Sequence, residues 1–326
     1  MRSGPDDATA LWIEAAGQAA LRAEPLRAPG PGEVLVETVF SGISRGTESL
    51  VFAGRVPDSE HARMRCPGQD GDFPFPVKYG YAAVGRIAAG DEDLLGREVF
   101  CLHPHQDRFL AAADSVTPLP EGLPAHRAAL GANMETALNI LWDAGVLPGD
   151  RVAVIGAGTV GLLSAWIAAR IPGTEVTLVD VDPARAGIAI AFGCGFADPA
   201  SAPDDCDVVI HASGHGAGLA TAIGCCGFEA RLVEASWYGE REIALSLGGA
   251  FHSRRIEIVS SQVGAVSPCR RARRSHRDRL TAALGLLADP LLDMLLTGET
   301  DFADLPGAYG RILSDPRTLC HRVRYI

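Results

Sequence analysis

The segment Gly156-Ala157-Gly158-Thr159-Val160-Gly161 constrains the fold of this chain more than any other. Three glycines at that spacing are common, and their flanks give them meaning. Arg151–Ile155 reads as a short apolar strand, Thr159–Ile171 as a helix closed by Pro172-Gly173, and Glu175–Asp180 as a second strand. Strand, tight turn and helix N-terminus in that order make a dinucleotide-binding crossover. Gly156 permits the turn, Gly158 lets the backbone approach a pyrophosphate, and Gly161 lets helix and strand pack closely. The helix opening at Thr159 and Val160 offers unpaired N–H groups and partial positive charge to that anion.

Asp180 closes the second strand about 20 residues past the glycines, where a carboxylate accepts hydrogen bonds from the adenosine ribose. It would repel the 2′-phosphate of NADP, so NAD is expected; Arg185, close behind, keeps NADP as the second choice. Val208–Ala212, Ala230–Ala235 and Ile256–Gln262 continue the strand–helix alternation. Such alternation gives a doubly wound parallel sheet covered by helices. Ligands lie beyond the carboxyl ends of its strands, which brings His211-Ala212-Ser213-Gly214-His215 to the cofactor, with Ser213 as the expected contact.

The first third has a different pattern. Val34, Val36, Thr38 and Phe40 alternate as a strand does after Pro29-Gly30-Pro31-Gly32, and the short runs Tyr81–Ile87 and Glu98–Leu102 follow. Ala125–Gly145 carries apolar residues at helical spacing, and Leu280–Leu287 forms a late helix. The chain of 326 residues suits two domains, of ~100–200 residues each by the usual prior. The expected division is a β-rich domain over 1–125 and 265–326 and a dinucleotide-binding domain over 126–264.

A net charge of −11 argues against nucleic acid as a partner, since that needs a basic footprint. The local exception is Arg270, Arg271, Arg273, Arg274, Arg277 and Arg279, read as a solvated helix face, with an anionic ligand as the alternative. No apolar run approaches the ~18 residues of a membrane span and the N-terminus lacks a leader pattern, so the cytoplasm is the expected location. The eight cysteines form no C-x-x-C pair and read as buried thiols. A homodimer is the default assembly.

These segments resemble the medium-chain dehydrogenase/reductase superfamily over nearly the whole chain. Gly42-Ile43-Ser44-Arg45-Gly46-Thr47-Glu48 looks like its G-I-C-G-T-D segment, and Gly80-Tyr81-Ala82-Ala83-Val84-Gly85 like its G-H-E-x-x-G segment. Pro148–Gly156 looks like the start of its nucleotide-binding domain. The resemblance implies a Rossmann domain, a GroES-like catalytic domain and NAD(P)-dependent hydride transfer to or from a hydroxyl or carbonyl carbon of a small or medium substrate. Ser44–Glu48 also resembles the bacteriochlorophyllide dehydrogenase branch.

The departures concern the metal. In zinc-dependent members the first segment supplies a Cys and the second a His and often a Glu; here Ser44 or Arg45, Tyr81 and Ala82 stand there. Gly131-Ala132-Asn133 offers no thiol for the third ligand, and the four-cysteine lobe is missing. Catalytic zinc needs three protein ligands, so no zinc is expected. Thr47 matches the position whose hydroxyl passes the proton onward, and Ser44 lies beside it. Tyr81 either donates a hydrogen bond to the substrate oxygen or only fills the vacated metal pocket. His103 and His105, two apart on an expected strand, would share a face and serve proton transfer, a metal or structural hydrogen bonds. Arg254 and Arg255 are candidate clamps for a substrate anion, with surface pairing as the alternative. Two other functions stay open: reduction of an activated alkene, and dinucleotide binding without catalysis.

Overall fold

The computed structural model describes residues 7–325. The chain divides into two compact units, one running to Ala132 and resuming at Leu284, the other spanning Asn133–Ala283.

The second unit is built on a six-stranded sheet. Its strands lie in the order Gly195–Ala197, Glu175–Val179, Arg151–Ile155, Cys206–His211, Cys226–Glu234, Glu257–Ser260, every pair parallel. Numbered along the chain this is 3-2-1-4-5-6, the doubly wound dinucleotide-binding order. Val152, Val154, Val209, Ile210, Leu232 and Val233 are buried, because helices cover both faces of such a sheet. The second strand stops at Val179, so Asp180 belongs to the turn beyond it rather than to the strand.

Two expectations for this half change. The helical pattern over Ala125–Gly145 is two helices, Ala125–Ala128 and Gly131–Ala144. Between them the Leu130 N–H donates to Arg127 O in a tighter turn. The arginine run is not one helix face: Arg270, Arg271 and Arg273 lie in turns, Arg274 follows them outside any helix, and only Arg277 and Arg279 are on the helix that begins at His276. Arg279 is a core residue. Its guanidinium donates to Glu135 Oε1 (3.1 Å), Asn139 Oδ1 (2.6 Å), Ala265 O (3.2 Å) and Val263 O, which pins the loop carrying those arginines.

The first unit holds two sheets. One is a four-stranded antiparallel sheet of Gln18–Pro25, Asp7–Ala15, Val77–Lys78 and Asp70–Gly71. In the other, Leu296–Asp301, Cys320–Arg324, Glu33–Ser44, Ala83–Ala89, Glu98–Cys101 and Thr117–Pro118 are successive neighbours, and Arg108–Ala112 pairs with the start of Glu33–Ser44. Cys320–Arg324 runs antiparallel to the end of Glu33–Ser44, with Cys320 opposite Ser44, so the last segment of the chain completes the sheet the first third begins. Val34, Val36, Ala83, Ile87, Val99 and Phe109 make its core.

Lys78 is the only lysine among the 29 Lys and Arg residues of the chain. Its ammonium is buried and reaches Glu24 Oε2 at 2.7 Å, Asp70 Oδ2 at 2.8 Å and Gln106 Oε1 at 3.1 Å. Three acceptors match the three N–H bonds of a compact ammonium, whereas a guanidinium brings five donors in a rigid plane. Lys78→Arg is therefore expected to cost about 1–3 kcal/mol by overpacking. A thermal melt reads it, with the exposed Arg97→Lys as the neutral control. A Lys78→Arg midpoint equal to the parent's would show that the compact ammonium is not what the site requires.

Candidate active site and dinucleotide cradle

In the glycine turn each glycine meets a different demand. Gly156 has φ +106°, and a Cβ there would lie 2.7 Å from the Ser213 backbone. A Cβ on Gly161 would lie 1.9 Å from Gly156 O. Both positions are glycine because the fold leaves no room. Gly158 is different: its φ is −76°, it caps the helix Thr159–Ala168, and nothing lies within 4 Å of a Cβ built there. Nothing in the chain itself requires a glycine at 158, and the open space beside it leaves room for the close backbone approach that a pyrophosphate needs. Thr159 and Val160, half-buried, open the helix next to that space.

The Asp180 carboxylate organises this turn. Oδ2 accepts the Ala157 N–H at 2.6 Å and Oδ1 the Asp182 N–H at 2.9 Å. Each oxygen keeps a lone pair for another donor. Arg185 is buried, with Nε 3.4 Å from Asp182 Oδ2.

At the carboxyl ends of Cys206–His211 and Cys226–Glu234 stands a polar cluster. His211 is fully buried and faces Glu234 through Nδ1 (2.8 and 2.9 Å) and the Ser213 hydroxyl through Nε2 (2.6 Å). A carboxylate only accepts, so Nδ1 carries a proton and, in the neutral ring, Nε2 accepts from Ser213. Glu234 also accepts the Ser236 N–H at 2.7 Å and the Tyr238 O–H at 3.0 Å. Burial pushes its carboxyl up, and His211 with Ser236 pulls it further down, so it lies below the usual range. The cluster ties Ser213 to the loop beyond the neighbouring strand, and Ser213 is the residue that Gly156 packs against. Arg254 donates to Cys226 O at 2.7 Å and Arg255 pairs with Glu229 at 2.7 Å.

In the first unit, Ser44 caps the helix Arg45–Phe52, which carries Thr47 and Glu48. The side chains of Ser44 and Thr47 lie beside the half-buried Tyr81 phenol. Burial and then the Glu48 charge push the phenol above its ordinary range, and these two hydroxyls pull it part of the way back. Tyr79 packs edge-on to Tyr81, ring centroids 6.0 Å apart. Ser44, Thr47 and Tyr81 are thus brought together.

His103 and His105 part company. The expected strand ends at Cys101, before either histidine, so the two rings do not share a strand face. His103 stacks on Phe109 at 3.6 Å and 7°, and its Nδ1–H donates to Pro104 O at 3.1 Å. Burial holds its pKa down at about 3, which makes it a neutral core ring. His105 is fully buried, with Nε2 3.0 Å from Glu48 Oε2 and Nδ1 2.7 Å from Ser41 Oγ. Ser41 Oγ meets the Tyr325 hydroxyl at 2.9 Å, and the Tyr309 O–H donates to Glu48 Oε2 at 2.5 Å.

Glu48, Tyr309, Ser41, Tyr325, Glu234 and Tyr238 were not singled out by sequence reasoning. Glu48 had a signal, an acidic residue between the apolar ends of a short segment. Tyr309 and Tyr325 had none, because their partners lie 261 and 284 positions away.

No protein-family model matches the chain. D-xylulose reductase A of Aspergillus niger is 30% identical over 149 residues, 43% of this chain and 42% of that protein. The chain thus matches less than half the length of that relative. Among solved structures, L-idonate 5-dehydrogenase of Escherichia coli superposes with a TM-score of 0.81 at 15% identity, over 98% of both chains. A short chain alcohol dehydrogenase of Escherichia coli complexed with NADH gives 0.77 at 17% identity, over 98% of this chain and 99% of that one. With the parallel sheet of one unit and the antiparallel and mixed sheets of the other, these likenesses show the fold: a Rossmann doubly wound sheet plus a β-rich GroES-like unit.

Proposed function

We propose that this chain is a NAD-dependent oxidoreductase that moves a hydride between nicotinamide and a hydroxyl or carbonyl carbon of a small or medium substrate, without a catalytic zinc. The observation that carries the reading is the Tyr81 phenol, set against two hydroxyls in a half-buried position and raised in pKa. A phenol that stays protonated acts as a donor to a developing oxyanion, and the polar side chains of Ser44 and Thr47 lie beside its oxygen. NAD supplies the hydride acceptor when bound; the chain's residues hold the substrate oxygen and keep the phenol proton in place.

The glycine turn, the space at Gly158 and the helix N-terminus at Thr159 support dinucleotide binding. Asp180 supports NAD over NADP, as an anchored carboxylate beside that space, and Arg185 faces Asp182. The NADH in the Escherichia coli alcohol dehydrogenase and the sugar-type substrate named for the Aspergillus reductase agree with this class of chemistry.

The residues present do not fit a tetrahedral zinc. The usual ligand positions hold Ser44 or Arg45, Tyr81 and Ala82, and Gly131-Ala132-Asn133 offers no thiol. Of the nearest candidate donors, both ring nitrogens of His105 are engaged, Glu48 already takes three donors, and burial pushes the Cys66 thiol up to about 12. Zinc takes thiolate, neutral imidazole and carboxylate ligands in an open set.

Tyr81→Phe keeps the ring and removes the donor. Turnover should fall ~10²–10³-fold, while NADH affinity and the melting midpoint stay at the parent's values. Full activity in that variant would leave Tyr81 a filler of its pocket. For the cofactor, Gly158→Ala should melt like the parent, since its Cβ meets nothing. Its NADH affinity, read by fluorescence titration, should fall at least about tenfold, the equivalent of ~1.4 kcal/mol. Undiminished affinity would deny a pyrophosphate at that turn, and tighter binding of NADPH than of NADH by the parent would overturn the choice of NAD.

A further inference from the structure

We propose that Glu48 is a positioning residue for this reaction: one buried carboxylate ties three distant stretches of the first unit together and so sets Ser44 and Thr47 against the Tyr81 phenol. The proposal rests on the reading of Tyr81 as the donor to substrate oxygen. Glu48 is fully buried and takes three donors. The Ser44 N–H reaches Oε1 at 2.7 Å, and His105 Nε2 (3.0 Å) and the Tyr309 O–H (2.5 Å) share Oε2. They come from the strand Glu33–Ser44, the loop after Cys101 and the helix Leu305–Ser314.

The contact with Ser44 matters most for positioning. It runs from the residue that caps the helix to the carboxylate four residues on, so it fixes the first turn that carries both Ser44 and Thr47. Loss of that bond frees the turn whose hydroxyls meet Tyr81. Behind Glu48 the hydrogen bonds run one way when the imidazole is neutral: Tyr325 O–H to Ser41 Oγ, Ser41 O–H to His105 Nδ1, His105 Nε2–H to Glu48. The carboxylate therefore selects the tautomer of His105 and the orientation of Ser41.

Glu48 also supplies charge. It pushes up the acidic groups around it: Tyr79, Tyr81, Cys66, Tyr309, Tyr325 and Cys320. Facing Tyr81 are Glu48, Ser44 and Thr47 from the capped helix and Cys66 and Tyr79 from the segments beside it. Position and charge can be separated. Glu48→Asp keeps the charge and loses the reach, Glu48→Gln keeps the reach and loses the charge, and Tyr309→Phe keeps the ring and loses one donor.

The experiment is steady-state kinetics against pH with NADH titration, melting curves and a spectrophotometric titration of the five tyrosines. Glu48→Gln should lower kcat at least about tenfold, a transition-state loss of ~1.4 kcal/mol, with NADH affinity unchanged. Its alkaline limb, where the phenol ionises, should move to lower pH, and the earliest tyrosinate absorbance should move with it. Glu48→Asp should lose kcat while keeping the parent's alkaline limb. A fall in melting midpoint alone, with kcat and alkaline limb both at the parent's values, would make Glu48 a purely structural residue and overturn the proposal. If Glu48→Gln does not fold, Tyr309→Phe decides: reduced kcat at parental NADH affinity supports the proposal, and parental kcat overturns it. The tyrosinate titration needs no turnover, so it separates this proposal from the reading of Tyr81. A shifted titration with a fully active Tyr81→Phe would sink that reading and leave the placement of Glu48 standing.

Discussion

A carboxylate with no exposure to water is a costly thing to build. Taking such a charge out of solvent costs several kcal/mol unless hydrogen bonds replace the water. Glu48 is in that position, and its three replacements come from residues 44, 105 and 309. None of the three stretches can settle without the others, since each supplies part of what keeps the charge solvated. This is a physical reason for the chain to return to its first unit at Leu284: the helix with Tyr309 and the strand ending near Tyr325 close the donor set that the first third leaves open. The surrounding phenols and thiols answer the same constraint, staying neutral around a single charge.

The second unit solves a similar problem twice. Glu135 is buried, which pushes its carboxyl up, and Arg279 opposes that shift while holding Val263 and Ala265 by their carbonyls. Buried pairs of this kind add little net stability and instead fix which loop sits where. His211 and Glu234 do the same at the carboxyl edge of the sheet, where Ser213 backs the Gly156 turn. Both polar clusters hold backbone beyond the carboxyl ends of the sheet strands.

The second unit was far more legible in the sequence than the first. Its strands are buried on both faces, so each reads as a short apolar run between turn signals, and Arg151–Ile155 was bounded correctly at both ends. Errors there were local: Asp180 falls one residue beyond its strand, and most of the arginine run lies outside a helix because Arg279 is drawn into the core. In the first unit one sheet is antiparallel and the other mixed, several strands have two residues, and pairing partners such as Ser44 and Cys320 lie far apart. Short-range periodicity carries no information about such pairings. The glycines and Asp180 could be named because they sit in a local pattern with its own geometry, and Tyr81 because its segment resembles a family motif. Tyr309 and Glu234 could not, since their roles come from partners that only the folded chain supplies.

The two histidines show why residue type and spacing underdetermine a site. His103 and His105 are two positions apart, and both are buried. One has a carbonyl and an aromatic face, so burial dominates and the ring is held neutral with a pKa near 3. The other has a carboxylate on one nitrogen and a serine hydroxyl on the other, so it passes hydrogen bonds between Ser41 and Glu48. The strand ends at Cys101, before both, and with Pro104 between them the rings meet different neighbours. What each histidine does is set by the acceptor its ring meets, and that acceptor, Glu48 in the case of His105, stands 57 residues away in the chain.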